Sequence, residues 1–278
     1  MRQISLLLWS WIETTRNLGR GRLWAPLLLL AIAQWLVLLL LTQFHQPILT
    51  PVLAPLIRLL VGEPALHYPV FYQALPELNN WFSIVLDVVL GAWLIGAAFL
   101  LFWQADRPGE LPQGGISRAA GAYGKLVAAR LPLAILVVAI LFLLPRVVFA
   151  GQAEMSGSTQ RFVRFATILV GSILEGLFLY APLAILVEGR GVKSALSRSF
   201  SFARRMPLAT AGAVFFPNLI QIPVSYVLRR SDEIIRKLSP EMIGWVLFLM
   251  ILVFTVVAFY VVGAGSRLFR VQAEESRA

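Results

Sequence analysis

The stretch MIGWVLFLMILVFTVVAFYVVGA, Met242 to Ala264, contains no charged side chain. A helix over it is about 35 Å long, enough to cross a hydrocarbon core of about 30 Å. Its apolar residues do not alternate with polar ones as in a barrel strand, and a helix satisfies its own backbone in lipid. Five other stretches have the same character: Trp24 to Phe44, Phe82 to Trp103, Leu131 to Phe149, Phe165 to Val187 and Leu208 to Leu228. In the third, Pro145 and Arg146 shorten the uncharged core, and Arg146 must snorkel to the interface. The sequence therefore predicts an all-α polytopic membrane bundle of six transmembrane helices, with residues 1–278 forming one integral membrane domain.

The bulk numbers agree. Of 278 residues, 59% are hydrophobic and 14% charged, with a mean hydropathy of +0.79, against about half and a quarter in soluble domains. So much apolar surface exceeds what a protein of this size hides from water. With no cysteine, disulfides, thiolate metal sites, iron-sulfur clusters and cysteine nucleophiles are excluded, and only His45 and His67 remain for imidazole chemistry. The net charge of +10 does not point to nucleic acid, because Lys and Arg collect in cytoplasmic loops near anionic lipid head groups.

Sorting the 24 Lys and Arg residues by connection sets the orientation. One side carries sixteen: Arg2, Arg16, Arg20 and Arg22; Arg107, Arg118, Lys125 and Arg130; Arg190, Lys193, Arg198, Arg204 and Arg205; Arg267, Arg270 and Arg277. The other carries eight. Both termini are expected in the cytoplasm, with the charged stretch Met1 to Arg22 retained rather than removed as a signal peptide.

Three segments on that side share one design: an amphipathic stretch, a base, a proline and a spanning helix. The upstream stretches are Ile4 to Gly21, Ile116 to Ala129 and Val192 to Arg204; the prolines are Pro26, Pro132 and Pro207. This suggests a threefold repeat of interfacial helix plus hairpin, with units 1–103, 104–187 and 188–278. The last stretch is the clearest. Val192, Ala195, Leu196, Phe200, Phe202, Ala203 and Met206 share one arc, and Arg190, Lys193, Ser194, Ser197, Arg198, Ser201, Arg204 and Arg205 share the other, which suits a basic amphipathic helix on a membrane surface. Each proline is expected where the interfacial helix turns into the bilayer. On the opposite side, Ile48 to Val61 is apolar but too short to span, and either lies in the interface or re-enters; His67 to Tyr72 brings aromatic rings to head-group level.

Through Gly191-Val192-Lys193-Ser194-Ala195-Leu196, Ser199-Phe200 and Arg205-Met206-Pro207, the chain resembles a broad group of bacterial six-helix membrane proteins of poorly known function. The group includes the membrane domain attached to some glycerophosphodiester phosphodiesterases. The resemblance implies a multi-pass protein of the bacterial inner membrane. In that family hydrolysis belongs to a separate soluble domain for which this sequence leaves no stretch, so no enzymatic activity is expected.

Four polar residues within the apolar stretches stand out. Glu175 stands near the middle of the fourth, beside Gly171, Ser172 and Gly176, and must face protein or water. It reads as an ion or proton relay, a polar substrate contact, or a carboxyl that joins helices. Asp87 precedes Gly91, Ala92, Gly96 and Ala97 and is expected to pair with an interfacial base. Asn218 and Gln221, between Pro217 and Pro223, turn inward from a kinked fifth helix. Together Asp87, Glu175, Asn218 and Gln221 form a candidate polar intramembrane site. Glu63 and His67 are a weak metal signal, and phosphate loops, metalloprotease helices and nucleophile elbows are missing from the sequence. The expected role is non-enzymatic and without cofactor or metal: organising lipid, with anionic head groups at the cytoplasmic face, or a membrane partner protein. The alternative is a small permease with its site at Glu175.

Overall fold

The computed structural model describes residues 2–107, 114–140, 157–228 and 230–275, with the side chains of 157–164 and 232 left aside. Among them every regular element is helical. The order is α1 Arg2–Arg16, α2 Gly21–Thr42, α3 Thr50–Val61, a 3₁₀ turn Glu63–Leu66, α4 Val70–Leu86, a π-helical turn Asp87–Gly91, α5 Ala92–Asp106, α6 Gly115–Gly121 and α7 Tyr123–Val138. There follow α8 Gly157–Phe178, α9 Ala181–Leu186, α10 Val192–Arg205, α11 Pro207–Leu219, α12 Ile222–Leu228, α13 Ser231–Lys237 and α14 Met242–Glu275.

Four stretches are long and apolar enough to cross a membrane: Gly21–Thr42, Val70–Asp106, Phe165–Leu186 and Met242–Glu275. The pair α6 and α7, bent by 75°, and the pair α11 and α12, bent by 47°, bring the number to six when each pair is taken as one span. The chain is thus a multi-pass helical membrane protein. The bend between α11 and α12 falls between Pro217 and Pro223, where the missing amide protons interrupt the helical ladder.

Helix α14 is the axis. Its 34 residues reach about 51 Å, roughly 20 Å more than a hydrocarbon core. Antiparallel to its first half runs α2, with Trp35 stacked on Phe248 at 4.5 Å, Trp24 on Phe259 at 4.1 Å, and Thr42 against Gly244. One core, around Leu38, Leu41, Ile57, Phe71, Leu75, Leu78, Ile243 and Leu247, ties the ends of α2 and α4 to α3 and the start of α14. The other, around Leu23, Phe102, Tyr180, Phe202, Phe259 and Phe269, ties the opposite ends of α2, α5 and α14 to α9 and α10. Past Ala264, α14 stays buried through Ser266, Arg267 and Gln272, because α1 and α5 pack on it and Phe202 of α10 meets Phe269 and Gln272.

Several boundaries differ from the sequence reading. The second apolar stretch begins at Val70 rather than Phe82, since Leu75, Leu78 and Asn79 are buried and the polar face between them is only one side of a helix. Of the third, Leu131 to Val138 continues a helix begun at Tyr123, and residues 141–149 lie outside those described. The prolines also depart from their expected role. Pro207 opens α11 at the break on Met206, but Pro26 and Pro132 lie inside α2 and α7. There the chain turns earlier, at Asn17 to Arg20 and at Ala122, and the helices run on through Pro26 and Pro132, each of which removes one ladder hydrogen bond. Segment Ile48 to Val61 contains α3, which buries Ile57 and turns Val52 and Leu59 outward.

Candidate functional site

The π-helical turn Asp87–Gly91 interrupts the long helix of α4 and α5 and aims the Asp87 carboxylate sideways. A side chain at Gly91 would meet Asp87 Oδ1 at 2.7 Å, so glycine is what leaves room for that carboxylate. From α7, Arg130 donates through Nε to Asp87 Oδ2 at 2.9 Å and through Nη2 to Oδ2 at 2.7 Å and Oδ1 at 2.9 Å. The sequence placed Arg130 in a cytoplasmic connection. It stands instead seven residues into α7, about 10 Å along the axis. A paired guanidinium tolerates that depth where a lone one does not.

Glu175 approaches from α8. Its carboxylate is hydrogen-bonded to the Asn218 side chain and lies within electrostatic reach of both Arg130 and Asp87. The Asn218 amide also points at Ser172 Oγ, 3.5 Å away, and Gln221 Nε2 donates to Asn218 Oδ1 at 2.7 Å. Asn218 is eleven residues into α11, about 16 Å along it. The four residues singled out from the sequence thus fall into two hydrogen-bonded groups, Asp87 with Arg130 and Asn218 with Gln221 and Ser172, and Glu175 stands with the second within electrostatic reach of the first. Outward-facing Val85, Val89, Leu131, Ile135, Ile173 and Ile220 surround them. With both carboxyls ionised the two groups together carry one excess negative charge, which a proton or a cation would balance. Beside Arg130, a narrow apolar cleft opens between Ala92, Leu126, Phe178 and Pro182.

A second polar group escaped the sequence reading. Arg267, 1% exposed, donates to Thr14 Oγ1 at 2.8 Å, to the Gly263 carbonyl at 3.1 Å and to Asp106 Oδ1 at 3.0 Å, with the Phe102 ring beside it. It fastens α1, α5 and α14 at one point. The sequence counted Arg267 only as a tail cation, and nothing local marks Thr14 or Asp106 as its partners. For Arg130 a signal existed: Leu126, Val127, Ala128 and Ala129 extend the apolar stretch to its other side.

The third feature is α10. It buries Ala195, Ser199, Phe202 and Ala203, with Ser199 donating to the Leu177 carbonyl at 2.6 Å and accepting from the Tyr180 amide at 3.1 Å. Its outward face carries Lys193, Leu196, Ser197, Phe200, Ser201, Arg204 and Arg205. Glu188 takes Arg190 and Arg198 as partners, leaving that face cationic.

Glu63 pairs with Arg58, and among the described residues there is no group of three His, Asp or Glu that could hold a metal. Scans against protein-family models, curated proteins and solved structures find no match to the chain.

Proposed function

We propose that the chain is a six-span protein of the bacterial inner membrane, with both termini cytoplasmic, that organises lipid or a membrane partner and catalyses nothing. The observation carrying this is the double character of the helices beside the spans. α1 buries Leu7, Ser10 and Thr14 against the bundle and turns Ile4, Leu8 and Ile12 outward, alongside the exposed Leu208 and Phe216 of α11. α10 buries one face and turns bases and Phe200 outward. A helix fixed to protein by one face, with an apolar or basic face left over, suits the boundary between head groups and acyl chains. The helix-break-helix arrangement of α1 with α2, α6 with α7, and α10 with α11 supports the threefold repeat. The excess of bases on the side bearing α1, α10 and the end of α14 supports the orientation.

A second reading is favoured by one observation, the cluster of Asp87, Arg130, Glu175 and Asn218 among apolar helices: a permease in which Glu175 takes a proton or cation during solute passage.

Purification in native-lipid particles, followed by mass spectrometry of what stays bound, separates the two. Lipid or a partner protein retained equally by the natural chain and Glu175→Gln supports the organising role. A small solute retained by the natural chain and lost from Glu175→Gln contradicts it and supports the permease.

A further inference from the structure

We infer that the outward face of α10 holds the phosphates of two anionic phospholipids, one on Lys193 with Ser197 and the other on Ser201 with Arg204. The inference deepens the lipid-organising role and rests on it.

The spacing carries it first. Lys193 and Ser197 are four apart and Ser201 and Arg204 three apart, so each base lies over the same turn as its hydroxyl. The two pairs lie on one continuous outward face of the helix. Their bases stand eleven residues apart, about 16 Å along the helix, too far to share one phosphate and roughly two lipids' width.

The bonding pattern points the same way. Other polar side chains of α10 have work inside the protein: Ser194 donates to the Gly191 carbonyl at 2.9 Å, Ser199 ties α10 to Leu177 and Tyr180, and Arg198 reaches Glu188 and lies over the Phe202 ring. Lys193, Ser197, Ser201 and Arg204 have no side-chain hydrogen bond or ion pair among the described residues. A base supplies charge and a hydroxyl supplies a directed proton, the combination a phosphate oxygen accepts.

Apolar neighbours favour a lipid over a free ion. Leu196 lies within the first pair and Phe200 between the two, Phe200 resting edge-on against Phe178 at 5.2 Å, and exposed Leu208 stands at the start of the next helix. A phosphate held at either pair puts its acyl chains against these side chains, whereas inorganic phosphate gains nothing from them.

The test reconstitutes the full chain in phosphatidylcholine vesicles containing spin-labelled phosphatidylglycerol or spin-labelled phosphatidylcholine. The motionally restricted fraction gives the relative affinity for the anionic lipid. Lys193→Gln with Arg204→Gln is compared with Arg236→Gln plus Lys237→Gln, which removes the same charge from α13. Each base is expected to contribute about fivefold to its phosphate contact, so the α10 variant loses most of the selectivity and the α13 variant keeps it. Ser197→Ala with Ser201→Ala is expected to lower selectivity about threefold at unchanged charge.

Equal losses in the α10 and α13 variants, or a serine variant identical to the natural chain, overturn the paired sites in favour of diffuse charge. Selectivity that persists in the α10 variant overturns them as well, while leaving the lipid-organising role standing. A natural chain with no preference between the two lipids, and none retained through purification, overturns the paired sites and the lipid-organising role together.

Discussion

Removing Asp106 should damage the protein more than removing Arg267, although the two are partners. Arg267 is 1% exposed and the Asp106 side chain 17%. In Asp106→Ala the guanidinium stays where water cannot reach, keeping Thr14, the Gly263 carbonyl and the Phe102 ring as direct neighbours and Glu13 only as a more distant charge. A buried charge stripped of its counter-ion costs about 3–5 kcal/mol. In Arg267→Met the flexible thioether fills most of the space, and Thr14 still donates to the Ser10 carbonyl at 2.7 Å. Asp106 recovers part of its hydration, so the cost should be about 2 kcal/mol. At about 2–4 °C per kcal/mol for a chain of this size, the apparent melting temperature in detergent, followed by size-exclusion chromatography, falls by about 6–20 °C for Asp106→Ala and about 4–8 °C for Arg267→Met. The double variant should lie above the sum of the two, because the second change removes a charge the first left stranded. A melting temperature for Asp106→Ala within about 1 °C of the natural chain, or strictly additive losses, refutes the network.

The same logic applies to Asp87 and Arg130. Asp87→Asn and Arg130→Gln should each cost about 2–3 kcal/mol, less than at Arg267 because both side chains are partly exposed; joining the two changes should recover part of that loss in the same melting assay. Gly263→Val should loosen α1, because a Cβ there meets Thr14 Cγ2 at 2.6 Å and Phe102 Cε1 at 3.0 Å. A cost of about 1–3 kcal/mol follows, read as faster proteolysis at Asn17 to Arg20, with an unchanged digestion rate counting against the packing of α1 on α14.

Helices were legible wherever a run of apolar residues, or an amphipathic arc, is its own evidence. α2 falls within a few residues of the expected Trp24 to Phe44, and α10 matches Val192 to Arg204. Reading failed where a helix runs on past its apolar part. The first three turns of α4 carry Pro76, Glu77, Asn79 and Asn80 and look like a loop, while the Gly265 to Glu275 end of α14 carries bases and looks like a tail. Burial by neighbours far away in sequence makes both helical, and no local pattern reports that. The polar cluster was legible as a set of four costly residues in apolar surroundings, but its organising base was not. Loop counting assigns a cation to the nearest boundary, whereas Arg130 is held by Asp87 forty-three residues earlier.

Orientation is the claim on which the lipid and partner readings both rest, and the absence of cysteine makes it directly measurable. Single cysteines at Ser197 in α10, Gln3 in α1, Gln46 before α3 and Ser239 before α14 can be probed with a membrane-impermeant maleimide on intact cells and again after lysis. The account predicts labelling at 46 and 239 in intact cells, and at 3 and 197 only after lysis. Labelling of 3 or 197 in intact cells, or of 46 and 239 on opposite sides, would contradict it.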